Sequence, residues 1–417
     1  MRKPLVFLLI GALRLLPMQG QSLTFAGVKP IFESKCASCH RPGDAAPFPL
    51  NSYADVKKRL SFIREVIDRG YMPPWKADPH YRDFANTRTL SPDEKKLLLQ
   101  WIEAGGPEGE WKAGSEKPAS KENLINFTAY SRKPDLTLKL DSAYTVTGDN
   151  VEKFVDFKIP FAFDTEQNVE AIELFTNNKK IIHHINYGFY KGTDSLKKNL
   201  VYYTGWIPGA SVESYPKGFG WRLPRRGVMT LTAHYTATAS DEQSIVGVNL
   251  FFRKDSIRRP IQIISLGSGG IAENDISPPL FVPPNKISTF HLKVKTQDEQ
   301  SLLYVWPHMH LLGKEYYAYA VTPDNDTIPL VHIPDWDFRW QELYKFKKLI
   351  RIPKGSVINM DCTYDNTANN PANPNNPPRG VFSFGDMSAN NEMMTLLLIY
   401  APYREGDEKI TLEDQNH

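Results

Sequence analysis

From about residue 130 onward, short segments of alternating apolar and polar residues recur between clusters of Gly, Pro, Asn and Asp. They read DLTLKL, KFVDFKI, VEAIELF, VMTLTAHY, SIVGVNLFF, STFHLKV, YYAYAV and VINMDCTY. A period of two predicts half-buried β-strands, and many short strands between turn residues are typical of all-β sandwiches. A break near SGGIAENDISPPLFVPPN divides the region, which predicts one sandwich at residues 131–272 and a second at 273–410.

The first hundred residues have a different pattern. Apolar residues recur at spacings of three and four in SYADVKKRLSFIREVIDR and again in SPDEKKLLLQWIEAGG, which predicts helices. The second helix should begin with a capping box from Ser91 to Glu94 and end at Gly105 and Gly106. We therefore predict a multidomain fold: a small all-α domain at residues 22–108, a polar linker at 109–130, and the two sandwiches.

The N-terminal residues predict export. Arg2 and Lys3 precede an apolar stretch that ends in small and polar residues, the outline of a signal peptide at residues 1–21, which would make the protein periplasmic or otherwise exported. An uncleaved membrane anchor is the alternative. No later segment approaches the roughly 20 apolar residues that a membrane-spanning helix needs.

Charge gives no reason to expect nucleic acid as a partner. The chain has 50 basic and 47 acidic residues. Removal of the leader takes away Arg2, Lys3 and Arg14 and no acidic residue, so the mature chain is close to neutral.

Cys36, Cys39 and His40 form C-x-x-C-H, the attachment motif of a c-type haem. One helical turn between the thiols suits the two vinyl groups of haem, and the following imidazole can then bind the iron. A redox dithiol or half of a zinc site would be the alternatives, but the sequence has no second C-x-x-C and no thioredoxin-like βαβ pattern around the motif. The motif predicts one covalent haem c.

Met72 lies in Tyr71-Met72-Pro73-Pro74-Trp75, between two predicted helices. A methionine in such a loop is a candidate distal iron ligand, and a thioether there raises the reduction potential of the iron and suits electron transfer. The alternative is a methionine that fills the core. With Met72 as ligand, the helical domain is predicted to be a class I-type cytochrome c that takes electrons from an external donor.

Five of the ten histidines lie in three clusters within predicted strands: His183 with His184, His234, and His308 with His310. On a strand, His308 and His310 point to the same face, so the H-x-H pair can chelate one metal ion. His183 and His184 are neighbours that diverge on a regular strand and can share an ion only at a strand end or a bulge. His234 alone would more often be a buried structural residue.

The order of these clusters carries more information than any one of them. Along the chain the clusters follow one another as HH, HYT and HMHLLGK, and then Glu392-Met393 in ANNEMMTLLLIY. This order resembles that of the copper type II, ascorbate-dependent monooxygenases, the family of peptidylglycine α-hydroxylating monooxygenase and dopamine β-hydroxylase. The resemblance covers about residues 150–403 and implies one copper in each sandwich. The implied ligands are His183, His184 and His234 for the first copper, and His308, His310 and Met393 for the second.

The resemblance also implies an activity. The second copper would activate O₂ and remove a hydrogen atom from a substrate C–H bond, while the first copper would supply an electron. The fused cytochrome would be a built-in donor, because a flexible tether gives an effective concentration in the roughly millimolar range. The predicted function is a copper- and haem-dependent monooxygenase of a small molecule. The alternative is a non-catalytic periplasmic electron-transfer or copper-binding protein.

The sequence departs from the peptide-hydroxylating member of the family at three positions. Trp306 stands where that member has an arginine, two residues before H-x-H, and Thr395 and Leu397 stand in place of its asparagine and tyrosine. A peptide C-terminal glycine is therefore not the expected substrate. The structural disulfides of the family are also absent, and Cys362 is predicted to be a buried, unpaired core thiol.

Overall fold

The computed structural model describes residues 23–109, 130, 132–192, 199–210, 212–383 and 391–413. The predicted signal peptide and nearly all of the predicted linker lie outside the described residues. The described part is mostly β-sheet, arranged in several sheets, with a few helices near the N-terminus, in agreement with the β-sandwich prediction. No described helix is long and apolar enough to cross a membrane.

The helical region has its own hydrophobic core, which includes the fully buried Val28, Val56 and Trp101. The predicted capping box is present: the Glu94 N–H donates to Ser91 Oγ at 3.1 Å, and the Ser91 N–H donates to Glu94 Oε2 at 2.7 Å. The elements are α1 Phe25–Ile31, a π-helical turn at Phe32–Cys36, α2 Tyr53–Lys57, α3 Leu60–Asp68 and α4 Pro92–Glu103.

One predicted helix is interrupted, since α2 ends at Lys57 and α3 begins at Leu60. Arg59 leaves helical geometry, with φ −129° and ψ 16°. Its guanidinium donates to the Asp55 carbonyl at 2.9 Å and lies 4.3 Å from the centroid of the Phe48 ring. This contact with Phe48 comes from tertiary packing, which the periodicity of the segment does not reveal.

The first sandwich is built from two main sheets and one short strand pair. One sheet has the order β1-β11-β4-β8-β12 with β7 beside β4, the other has the order β3-β9-β5-β6, and β2 pairs with β10. Residues of both main sheets, such as Val248 on β11 and Leu231 on β9, are fully buried in one core. The strands are β1 Leu136–Lys139, β2 Tyr144–Val146, β3 Lys153–Ala162, β4 Gln167–Thr176, β5 Ile182–Lys191, β6 Leu200–Trp206, β7 Glu213–Ser214, β8 Phe219–Leu223, β9 Arg226–Tyr235, β10 Glu242–Ser244, β11 Val246–Phe252 and β12 Arg259–Pro260.

The second sandwich consists of sheets β13-β22-β16-β19 and β15-β20-β17-β18, with a short β14-β21 pair. Strand β13 lies before residue 273 but pairs with β22 along its whole length. Cys362 on β20 is fully buried and forms no disulfide, as predicted. The strands are β13 Gln262–Gly267, β14 Phe281–Val282, β15 Ile287–Lys295, β16 Gln300–His308, β17 Gly313–Val321, β18 Thr327–Ile333, β19 Tyr344–Ile352, β20 Val357–Asp365, β21 Val381–Phe382 and β22 Thr395–Pro402. Short 3₁₀ turns lie at Lys179–Ile181, Glu273–Asp275 and Asp407–Lys409.

The segment between α3 and α4 packs directly on the second sandwich. Phe84 is 1% exposed, and its ring centroid lies 4.9 Å from that of Tyr344. Arg88 forms a buried ion pair with Glu342, and the Lys345 N–H donates to Asn86 Oδ1 at 3.0 Å. These contacts hold the helical region against the sandwich in addition to the covalent connection, and the sequence did not predict them.

Candidate metal centres

The three histidines of the first sandwich meet on the sheet that contains β5 and β9. His184 lies opposite His234, and the pairing of the two strands shifts between Ile182 and His184. This irregularity leaves His183 as the extra residue of a bulge, which is the geometry that allows neighbouring histidines to point at one ion. One ligand atom from each of the three imidazoles lies within 4.8 Å of the other two.

The Nδ1 atoms of these imidazoles converge. Nδ1 of His184 lies 3.1 Å from Nδ1 of His183 and 3.4 Å from Nδ1 of His234, while Nε2 of His234 faces the Glu152 carboxylate at 3.0 Å. Burial lowers the pKa of His183 and of His234 to about 4, and lowers the pKa of His184 well below its ordinary value. Three neutral imidazoles with converging lone pairs fit a copper ion well.

The H-x-H pair lies at the end of a strand. His308 is the last residue of β16 and His310 follows beyond it, with the two ring centroids 5.1 Å apart. The pairing of β16 with β22 ends where His308 faces Thr395. Beyond that point, the N–H groups of His310 and Leu312 donate to the Glu392 carboxylate at 2.9 and 2.7 Å. Because His310 lies beyond the strand, strand alternation alone does not place it, and the Glu392 carboxylate holds its main chain instead.

Each imidazole of this pair is held through Nδ1. Nδ1 of His308 bonds with the side-chain carbonyl of Gln341, and Nδ1 of His310 bonds with the main-chain carbonyl of Asn391. Such partners fix the orientation of a metal-binding imidazole and direct Nε2 to the opposite side of the ring. Burial lowers the pKa of His308 to about 3, so this ring is neutral near pH 7 and suited to copper.

Met393 follows Glu392 directly before β22. The pairing of β16 with β22 ends at His308 and Thr395, so Met393 lies two residues before the paired part of β22. The Tyr364 hydroxyl donates to the Met393 carbonyl at 2.7 Å and fixes the main chain there. A soft thioether beside two imidazoles favours Cu(I). The role of Met393 as a ligand stays a prediction.

Trp306 lies between the two sandwiches. Its side chain is 5% exposed, its Nε1 donates to the Gln341 carbonyl at 3.1 Å, and its ring lies 6.1 Å from that of Tyr203. A Cβ at Gly205 would lie 2.5 Å from the Trp306 ring, so glycine is needed there for the sandwiches to approach. An indole therefore fills the junction beside the second site.

The C-x-x-C-H motif follows α1 at the π-helical turn. The His40 N–H donates to the Cys36 carbonyl at 2.9 Å, as expected for one helical turn. Nδ1 of His40 lies 2.9 Å from the Phe48 carbonyl, a contact that orients an imidazole for metal binding. Cys39 packs against the first sandwich, because a Cβ at Gly209 would lie 2.5 Å from its Sγ. Met72 lies in the turn after α3, and its role as distal ligand stays a prediction.

Two residues near the histidines escaped the sequence interpretation. The Phe338 ring lies close to histidines of both clusters, and Gln341, which holds His308, is three residues further along the same loop. The loop sequence PDWDFRWQE connects β18 and β19. The high proportion of aromatic and charged residues in this loop could have indicated that it contributes to the site.

Residues 273–405 match the family "copper type II ascorbate-dependent monooxygenase, C-terminal domain". The matched segment contains His308, His310 and Met393, whereas the three-histidine cluster lies before it. The C-terminal part of the chain is therefore a copper type II ascorbate-dependent monooxygenase domain. The protein is a copper-dependent monooxygenase, an oxidoreductase.

No curated protein matches the chain. Among solved structures, it is similar to a peptide-N(4)-(N-acetyl-β-D-glucosaminyl) asparagine amidase, with a TM-score of 0.30 and 10% identity over 64% of this chain and 96% of that one. It is also similar to the VP2 subviral particle of infectious bursal disease virus, with a TM-score of 0.16 and 10% identity over 69% and 87%. A mutant of Bacillus subtilis oxalate decarboxylase gives a TM-score of 0.13 and 7% identity over 66% and 77%. These scores are too low to bear on the function.

Proposed function

We propose that this protein is a two-copper hydroxylase that inserts one oxygen atom of O₂ into a C–H bond of a small molecule. The other oxygen atom leaves as water, so each turnover consumes two electrons and two protons. The observation that carries the proposal is the cluster of three converging imidazoles, two of them buried and His183 half-buried, in the sandwich that precedes the matched monooxygenase domain. Each sandwich thus offers one set of soft or borderline donors.

The proposed ligands divide between the sandwiches. Copper at the second site supplies O₂ activation when bound. The chain supplies orientation: Gln341 and the Asn391 carbonyl hold the imidazoles of His308 and His310. Glu392 holds the main chain of His310 and Leu312. Met393 completes the second set. At the first site His183, His184 and His234 would bind the copper that holds the second electron.

We further propose that the helical region is a cytochrome c domain, with haem bound through Cys36, Cys39, His40 and Met72. Two contacts support an electron path from this region to the copper sites. Cys39 packs against Gly209 of the first sandwich. The segment that follows Met72 packs on the second sandwich through Phe84 and through the Arg88–Glu342 ion pair. An external donor would reduce the haem.

The substrate is proposed to be a small molecule other than a peptide with a C-terminal glycine. A peptide carboxylate would need a cation at this position to bind it, and Trp306 places an uncharged indole there. The leader sequence supports export to the periplasm or beyond.

The first experiment is metal and haem analysis of the purified full chain, followed by anaerobic reduction and exposure to O₂. We expect two coppers and one covalent haem per chain. Haem should reoxidise with O₂ in the wild type and much more slowly in His234→Ala and Met393→Ala, because both coppers lie on the path. His80→Ala, which changes an exposed histidine, is the matched control.

Three outcomes would contradict parts of the proposal. Haem reoxidation that is unaffected by either ligand substitution would exclude the relay. Copper without haem would exclude the cytochrome assignment and leave the monooxygenase intact. Two coppers without an O₂-dependent product on any C–H substrate would contradict the proposed hydroxylation.

A further inference from the structure

The segment between α3 and α4 contacts both edges of the second sandwich. Residues 75–88, here the strap, bond with β19, the last strand of one sheet, and with β18, the last strand of the other. An edge strand presents a row of N–H and C=O groups to the next chain that can pair with it, and proteins cover such edges. The strap provides this cover from a part of the sequence more than 200 residues away.

At β19 the strap pairs as a short additional strand. Phe84 forms an antiparallel bridge with Phe346. The Ala85 N–H donates to the Lys345 carbonyl at 2.8 Å, and the Lys345 N–H donates in turn to Asn86 Oδ1 at 3.0 Å. Addition of a strand to a sheet edge is a recurring way to bind a peptide, because main-chain bonds supply affinity and buried side chains supply specificity. The strap thus binds β19 as a peptide ligand would.

At β18 the strap bonds with two main-chain carbonyls. The Asp78 N–H donates to the His332 carbonyl at 2.8 Å. Nε and Nη2 of Arg82 donate to the Pro329 carbonyl at 2.9 and 2.6 Å. His332 and Pro329 both belong to β18. One segment therefore holds both sheets of the second sandwich at their edges.

The strap also contributes to the core of the sandwiches. Phe84 and Ala77 are 1% and 3% exposed and belong to the hydrophobic core that contains the buried residues of both sandwiches. The helices have a separate core around Val28 and Trp101. Separation of the helical region would expose the Phe84 ring to water, which the hydrophobic effect opposes.

Arg88 ends the strap and joins all three regions. Its Nη1 donates to the Gly209 carbonyl of the first sandwich at 3.2 Å, and its guanidinium forms an ion pair with Glu342 of the second. Both members of this pair are buried. Removal of only one partner leaves an uncompensated buried charge, so the pair is a sensitive probe of the docking.

We propose that the strap docks the helical region permanently on the second sandwich by adding to both of its edge strands. The helical region is then a fixed part of this sandwich and not a domain that moves on the linker at residues 109–130. The docking goes beyond the proposed function, which requires only that an electron donor reach the copper sites. It follows that the matched monooxygenase domain is completed by residues of the helical region.

The test cuts the linker of the native full chain. A protease site is inserted within residues 110–129, and the cut protein is examined by gel filtration and by analytical ultracentrifugation at successive dilutions. We expect the two pieces to stay together in a 1:1 ratio, because the strap and not the linker holds them. In protein that carries haem and copper, which rests on the proposed function, the cut should leave the rate of haem reoxidation unchanged.

Arg88→Met should weaken the association of the cut pieces by about 100-fold or more, because Glu342 then keeps a buried charge without its partner. Arg88→Met combined with Glu342→Leu should recover most of this loss, since apolar replacement of both partners of a buried ion pair is often neutral. Arg64→Met is the matched control. Arg64 is half exposed and pairs with Glu103 at 2.9 Å inside the helical region.

Hydrogen exchange of the uncut chain gives a second measurement. The amides of Asp78 and Ala85 should exchange as slowly as the paired amides of β19, because local opening of a docked strap requires loss of its buried contacts. A domain that moves on its linker would instead exchange these amides quickly while α4 stays protected.

Three results would overturn the docking: wild-type pieces that separate on gel filtration, fast exchange at Asp78 and Ala85, or equal association in Arg88→Met and Arg64→Met. If Arg88→Met does not fold, the cut wild type and the exchange of Ala85 decide. The association and exchange measurements need neither haem nor copper. A chain without haem or copper would therefore overturn the proposed function alone, and separated pieces that still carry both would overturn the docking alone.

Discussion

The two candidate copper centres present opposite edges of the imidazole ring. In the first sandwich the Nδ1 atoms of three histidines converge. In the second, the Nδ1 atoms of His308 and His310 are taken by Gln341 and by the Asn391 carbonyl. The first site lies within one sheet, at a bulge. The second site is formed by a strand end, a loop and the residues at the start of β22. The second site should therefore depend more on residues that are not ligands.

The largest effect is expected for His234→Ala. Loss of one of three converging donors should weaken copper binding at the first site by more than about 100-fold, since even outer partners of a metal ligand contribute about 10- to 100-fold. The second site should keep its copper. Copper per chain, measured after gel filtration, should fall from two to one, and His80→Ala should retain two. Two coppers in His234→Ala would contradict the assignment of this histidine.

Gln341→Leu should weaken copper binding at the second site by about 10- to 100-fold, because it removes the partner that orients His308. The first site should be unaffected. Titration of the metal-free chain with Cu(I) measures both affinities, and Gln297→Leu, an exposed position in the same sandwich, is the control. Unchanged affinity at the second site would mean that the strand alone orients His308.

The sandwiches should also differ in their response to pH. Asp407 accepts hydrogen bonds from Arg259 and from Ser301, at the start of the strand that ends in His308. Burial raises the pKa of Asp407, but these bonds outweigh it and the pKa lies below the ordinary 3.8. Because the folded state holds this charge more strongly, its stabilisation is present above pH 3.8 and is lost as the pH falls through the folded-state pKa.

Urea unfolding between pH 5 and pH 3 measures this difference. Wild type should lose stability more steeply than Asp407→Asn, by at most about 1.4 kcal/mol per pH unit for one carboxyl group. In the first sandwich, burial raises the pKa of Glu213, so its favourable contribution is present below pH 4.5 and is lost as the pH rises. Glu213→Gln should therefore change the pH dependence of the protein's stability above pH 4.5, whereas Asp407→Asn changes it below pH 3.8. Equal slopes for wild type and Asp407→Asn would refute the role of Asp407.

The smallest effect is expected for Glu152→Gln. The Glu152 carboxylate faces Nε2 of His234 at 3.0 Å but is 56% exposed, and even a fully charged pair at such an exposed position contributes only about 0–1 kcal/mol. Copper affinity at the first site should fall no more than about fivefold. A loss as large as that in Gln341→Leu would show that the first site also depends on outer support, and would remove the contrast between the sites.

Much of the fold follows from local pattern. The period of two in VMTLTAHY and VINMDCTY predicted strands that the structure contains as β9 and β20. The capping box at Ser91 and Glu94 predicted the start of α4. The break at Arg59 escaped prediction because the helical spacing of Val56, Leu60 and Ile63 continues through it.

The sequence by itself determined which side chains are available for the chemistry: five clustered histidines, Met393 and C-x-x-C-H. It also determined the condition for His183 and His184 to share an ion, because strand geometry makes neighbours diverge unless a bulge intervenes. Only the tertiary structure decided which ring nitrogens converge and which residues hold them. Phe338 and Gln341 reach histidines far away in the chain through a loop between β18 and β19, and contacts of that range depend on how the sheets pack rather than on any local repeat.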